Sequence, residues 1–171
     1  MTWLPVQTPA MARTFLLGVV ALTALAWPAE VVAQGVKATV LSIGDGDTIR
    51  LRQAGKALTV RLACIDAPET AQGMLGSIAR EALHGLVGSA PLELRVQTRD
   101  RYGRTVAEVF AGGVNVGLEM VRRGDVFVYR QYLSGCDAST YLAAEAQAEW
   151  SRAGVWRWGN VERPWDFRKN R

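Results

Sequence analysis

The chain has 171 residues, 49% hydrophobic and 21% charged, a length that accommodates one compact domain with a short appendage but not two large domains. With no low-complexity tract, this composition excludes a disordered chain or a collagen-like fibre. Twenty Lys and Arg against sixteen Asp and Glu give a net charge of +4 and a pI near 9.4; seventeen of the twenty are Arg, whose planar fork suits phosphate oxygens, although the same bias is common in GC-rich genomes.

Residues 1–33 read as a secretory signal peptide. Met11-Ala12-Arg13-Thr14 supplies a short positive segment, Phe15 to Trp27 is an apolar run of thirteen residues, and Val31-Val32-Ala33 places small residues where a signal peptidase reads. The run falls short of the roughly 20 residues a membrane span needs, and Pro28 follows it. Met11 is an alternative start. Cleavage after Ala33 leaves 138 residues that still carry +4, so the expectation is a soluble exported protein, periplasmic or extracellular.

From Gly35 to Val60, short apolar runs rich in β-branched residues predict two antiparallel strands joined near Ala54-Gly55, and a third strand runs from Arg61 to Ile65. Ser77 to Val87 shifts to helical period, with Ser77 as a candidate cap and Gly88 as a stop. Pro91 to Gln97 and Thr105 to Phe110 alternate again around the polar turn DRYGR and predict a hairpin. A short helix follows from Asn115 to Arg123, stopped by Gly124, and the Ala- and Glu-rich stretch Tyr141 to Ala153 predicts the last helix. The remaining tail holds three Trp, which argues that it packs partly on the body. Short strands interrupted by three helices suggest a small closed barrel with helices laid on it.

Cys64 and Cys136 are the only cysteines. In an oxidising compartment they can bridge, closing a loop of about 70 residues for roughly 4 kcal/mol; two separate buried thiols are the alternative. Neither has the paired spacing of a zinc site, and the single histidine, His84, lies in a helical stretch. A structural zinc or a Ser-His-Asp triad is therefore not expected.

Charged residues interrupt the strand pattern where packing alone does not call for them. Asp45-Gly46-Asp47-Thr48 falls inside one apolar run and Asp66-Ala67-Pro68-Glu69 ends another, although carboxylates are depleted in strands. Each alone reads as a turn or a strand exit. Together, carboxylates on neighbouring strands repel unless a cation lies between them, and a hard divalent ion fits that place. Arg61 shares a strand with Asp66, and Arg104 closes the turn begun by Asp100. Two Arg and several carboxylates form the toolkit of metal-assisted phosphoryl transfer. DGDGDT is no EF-hand, because the terminal Glu of the twelve-residue loop and the flanking helices are missing.

The order DGDTIRL, a nine-residue gap, RLACIDAPE and then DRYGRTVAEV resembles the signature of the staphylococcal nuclease, or thermonuclease, family. The resemblance continues through NVGLEMVRRGDVFVYRQY and YLAAEAQAEWSRAGVW, and covers Lys37 to Trp156. It implies an OB-fold over residues 34–160, a five-stranded Greek-key barrel with three helices, followed by a tail over 161–171. It also implies a calcium-dependent endonuclease that hydrolyses DNA and RNA and leaves 3′-phosphate ends.

Carried over position by position, Asp47 and Asp66 match the carboxylates that hold calcium, and Ala67 a site that offers its backbone carbonyl. Asp45 stands behind them. Glu69 matches the carboxylate that positions or deprotonates the attacking water, and Arg61 and Arg104 match the guanidiniums on the scissile phosphate. Arg101 and Tyr102 align with positions gripping the neighbouring phosphate, and Tyr132 with an aromatic of the nucleotide pocket. Arg130 stands where the staphylococcal enzyme has a second pocket tyrosine, and Thr70 to Ser77 is shorter than that enzyme's basic loop. Barrels of this type also serve as non-catalytic nucleic-acid-binding modules, which is the second function class; nothing in the sequence demands more than a monomer.

Overall fold

The computed structural model describes Met1, residues 37–88 and residues 91–171. The chain divides into a unit Met1–Val32 and a unit Ala33–Arg171; the segment read as a signal peptide lies outside the described residues.

Alternation of apolar and polar side chains builds the barrel of the second unit. Strands β1 (Ala38–Ile43), β2 (Thr48–Gln53) and β3 (Lys56–Leu62) form an antiparallel meander, with the β2–β3 turn at Ala54-Gly55 as expected. Strands β5 (Leu92–Arg99) and β6 (Thr105–Ala111) form the expected hairpin. β1 pairs with β5, and β6 runs parallel to β3 with Arg61 opposite Val106, which closes the five strands into a barrel. Ile49, Leu51, Val60, Leu62, Leu92, Ala107 and Val109 fill its interior. This is the OB-fold architecture anticipated from the sequence.

The expected strand through Ile65 breaks at Ala63-Cys64, where Cys64 takes a positive φ of 67°. Beyond the break, β4 (Ile65–Asp66) leaves the barrel and pairs with β8 (Phe127–Val128). β7 (Val114–Asn115) adds a short edge to β6.

Helix α1 (Met74–Val87) buries Ala79, Leu83 and Val87 and begins three residues before the predicted cap: Gly73 is the N-cap, and Ser77 bonds back to the Gly73 carbonyl from inside the first turn. Helix α2 (Val116–Arg123) is capped by Asn115, whose side chain accepts from Leu118 N, and stops at left-handed Gly124. Helix α3 (Ala138–Trp150) starts earlier than the Ala-rich pattern indicated, because Asp137 caps it by accepting from Thr140 N.

The tail forms a fourth, unanticipated helix, α4 (Pro164–Lys169), with Pro164 in its first turn. It packs on a second apolar cluster in which Val161 and Trp165 meet Phe127, Ala148, Val155 and Trp156. Arg163 lies over the Phe127 and Trp156 rings at 4.3 and 4.4 Å. No described helix is long and apolar enough to cross a membrane.

Candidate active site

Two close backbone approaches set the carboxylates in place. A side chain on Gly46 would collide with the Cβ atoms of Ala79 and Ala67, and one on Gly76 would run into the Glu69 carbonyl. The loop carrying Asp45 and Asp47 can therefore seat against α1, and α1 against the strand exit that carries Glu69. Substituting either glycine would force these segments apart.

Asp47 and Asp66 are buried, with 4% and 1% of their surface exposed. They converge on one nitrogen: Arg61 Nη2 lies 3.1 Å from Asp47 Oδ2 and 2.8 Å from Asp66 Oδ1. Arg61 Nη1 donates to the Leu62 and Ile65 carbonyls at 2.9 and 3.0 Å, which locks the fork across the break between β3 and β4. Asp47 Oδ2 also accepts from Ala67 N at 2.7 Å. The Asp47 backbone N–H in turn donates to Asp45 Oδ1 at 3.1 Å.

The other arginine comes from the β5–β6 turn. Because β6 runs beside β3, Arg104 enters the same cleft as Arg61. Asp100 holds it, with Oδ2 accepting from Arg104 Nε at 2.6 Å and Oδ1 from its backbone N–H at 2.9 Å. Desolvation pushes the Asp100 carboxyl up, but the bonds from Arg104 outweigh it and keep the group below the usual carboxylate range. Arg101 and Arg104 both lie over the exposed Tyr102 ring, at 5.0 and 5.5 Å.

These side chains line one cleft of about 1050 Å³ together with Glu69, Tyr129 and Tyr132. Tyr132 meets Tyr129 edge to face at 4.9 Å, and Tyr129 stacks on Trp165 at 5.6 Å with the rings 4° apart. Cys64 and Cys136 form a disulfide, which ties the turn carrying Tyr132 to the loop between Arg61 and Asp66. Of the two alternatives open in the sequence, the bridge is the one formed.

Arg130 is not among the cleft residues. Its guanidinium pairs at 2.7 Å with the buried Glu145 carboxylate, which also accepts from Val128 N, so it braces α3 against β8. Tyr129, one position earlier, presents its ring to the cleft instead. The other residue that sequence reasoning missed is Arg168 of α4. Its Nη2 lies 2.7 Å from Asp66 Oδ2 and its Nη1 2.6 Å from Glu69 Oε1. The available signal was Arg163-Pro164 ahead of Trp165-Asp166-Phe167-Arg168, a helix start with Pro in the first turn.

Among the described residues, no group of three or more His, Cys, Asp or Glu side chains is gathered as a ready metal cage. The donors that do converge nevertheless fit a hard cation. Burial pushes Asp47 up to about 7; Arg61 pulls it down, while the Asp45 and Asp66 carboxylates push it further up. Burial also raises Asp66, against the pull of Arg168 and Arg61. Burial, not a lack of partners, thus raises both carboxylates, and the cluster offers only oxygen ligands, the chemistry that suits a hard divalent cation completed by backbone oxygens and water.

The family described as staphylococcal nuclease homologue matches residues 59–158. A protein of Shigella flexneri named micrococcal nuclease is 37% identical over 139 residues, 76% of this chain and 79% of that protein. A Haemophilus influenzae protein named uncharacterized endonuclease is 37% identical over 131 residues, covering 76% and 71% of the two chains. An Escherichia coli O157:H7 protein of the same name is 33% identical over 143 residues, covering 83% and 90%. With this family match over more than half its length, and with these relatives, the chain belongs to the staphylococcal nuclease family.

Proposed function

We propose that the protein is an exported, calcium-dependent endonuclease that hydrolyses phosphodiester bonds of DNA and RNA and leaves 3′-phosphate ends. The observation that carries this reading is the convergence of Asp47, Asp66, Glu69, Arg61 and Arg104 on one cleft. Burying a charge is costly unless it is paired, and here two buried carboxylates line a cleft with a second arginine and a further carboxylate, where Glu145 with Arg130 only braces two elements.

In this reading Asp47, Asp66 and the Ala67 carbonyl would hold the cation, and calcium, when bound, would supply Lewis-acid polarisation to the scissile phosphate. Arg61 is fixed at the cleft floor and grips the non-bridging oxygens of the scissile phosphate. Arg104, aimed by Asp100, stabilises charge developing on the leaving 5′ oxygen. Glu69 orients the attacking water and accepts its proton. Arg101 and Tyr102 hold the adjoining phosphate, and Tyr132 with Tyr129 offers a stacking face to a base. One chain carries every catalytic side chain, so a monomer suffices. Export rests on the character of residues 1–33 and is supported by the disulfide, since oxidising compartments let such bridges persist.

Digestion of plasmid and single-stranded substrates, in calcium and then in excess chelator, tests the reading. Chelator-sensitive cleavage is the expected result; binding without cleavage in calcium would assign the chain to the non-catalytic modules.

A further inference from the structure

The carboxylates assigned to calcium already hold a cation of this chain. Arg168 lies 102 residues from Asp66 in sequence and reaches it with both terminal nitrogens, Nη2 to Oδ2 at 2.7 Å and Nη1 to Oδ1 at 3.2 Å. The same Nη1 contacts Glu69 Oε1 at 2.6 Å. Asp66 Oδ1 is shared with Arg61, so neither Asp66 oxygen is free of a guanidinium. A divalent ion ligated by Asp66 needs one of those oxygens; Oδ1 is already shared by both guanidiniums, so Oδ2, held by Arg168, is the oxygen for which an entering ion and the guanidinium compete.

The segment that delivers Arg168 is anchored apart from it. Trp165 stacks on Tyr129, Arg163 lies over Phe127 and Trp156, and the Gln72 side chain donates to the Glu162 carbonyl at 3.0 Å. Loss of the Arg168 guanidinium therefore leaves the helix seated. The Arg168 side chain is 41% exposed, so its guanidinium can swing into solvent without moving the apolar anchor.

We infer that Arg168 is a resident counter-charge of the active site, and that loading a divalent cation and displacing Arg168 from Asp66 and Glu69 are a single exchange. The inference rests on the reading of Asp66 as a cation ligand. It gives the C-terminal segment a task beyond packing: Arg168 neutralises the carboxylates of the metal-free protein and sets the calcium concentration at which the site fills. The anchored helix then keeps the displaced guanidinium close enough to return.

The test is calcium binding without nucleic acid, followed by isothermal titration calorimetry on the full chain and on the Arg168→Ala, Arg168→Gln and Arg168→Lys variants. Removal of an internal competitor should tighten calcium binding on the order of tenfold in the Ala and Gln variants, because the competent state no longer has to be freed first. Arg168→Lys, which keeps the charge and loses the fork, should fall between them and the parent. Trp165→Ala, which loosens the anchor, should shift affinity the same way. Unchanged or weaker calcium binding in the Ala and Gln variants would overturn the inference and leave the nuclease reading intact. Absence of calcium binding in parent and variants alike would overturn both.

Discussion

Asp100 holds Arg104 by two atoms at once: Oδ2 accepts from the guanidinium Nε at 2.6 Å, and Oδ1 accepts from the backbone N–H at 2.9 Å. The turn that delivers the arginine and the direction in which its fork points are fixed by one carboxylate. Asp100→Ala should therefore lower kcat by about tenfold with little change in KM, since the guanidinium remains but is no longer aimed. Arg104→Lys should cost more than this, because a point charge cannot replace a fork at a phosphate. Steady-state kinetics on both variants decides it; an Asp100→Ala enzyme with parental kcat would show that the clamp has no part in catalysis.

The disulfide ties the turn carrying Tyr132 to the loop between Arg61 and Asp66. Cys64 and Cys136 are 72 residues apart, so by the loop-entropy argument the bridge contributes roughly 4 kcal/mol. Reduction, or the paired Cys64→Ser and Cys136→Ser substitutions, should lower Tm by about 10 °C or more. KM should rise as well, because the turn bearing Tyr132 loses its tether. Thermal unfolding with and without reductant checks the first effect, and an unchanged Tm would show that packing alone holds the turn.

Asp125, at the end of α2, has a buried Oδ2 with no hydrogen-bond partner. Burial pushes its pKa from 3.8 up to about 6, with Arg123 pulling down and Glu119 pushing up. Since the folded-state value is the higher one, folding favours the protonated form. This contribution to stability is present at low pH and is lost as pH rises from about 4 through 6. Asp125→Asn cannot ionise, so above about pH 7 it should be more stable than the parent by about 1 kcal/mol, allowing for the group's partial exposure, and the advantage should vanish below about pH 4. Denaturant unfolding at the two pH values measures it; a constant difference would refute the assignment.

Much of the site was legible because its parts are local in sequence. Asp47, Asp66, Glu69 and Arg61 sit in two short segments, and carboxylates inside apolar strand patterns mark a conflict between local preference and fold that function resolves. Asn115 and Gly124 bounded α2 for equally local reasons. What escaped depended on distant partners. β4 and β8 are two residues each, too short to show any alternation. Arg130 looked available to substrate, and only the fold reveals that Glu145 needs a cation. Gly73 rather than Ser77 starts α1 because the chain must turn sharply after the Glu69 exit, at a φ of 69°. Arg168 was hidden in a short tail segment whose helix is held by Trp165 stacking on a tyrosine far along the chain.

The measurement that bears most directly on the account is substrate affinity and turnover on the same purified Glu69→Gln protein in calcium. The carboxylate lines the cleft, its side chain 31% exposed and its Oε1 held by Arg168 Nη1 at 2.6 Å, and the amide keeps an oxygen for that bond while losing the proton-accepting charge. Turnover should fall by a factor on the order of 10² or more, the usual scale for loss of an acid-base group, while affinity persists. Parental turnover in Glu69→Gln, or an equal loss of affinity and turnover, would contradict the role assigned to Glu69 and with it the catalytic reading of the cleft.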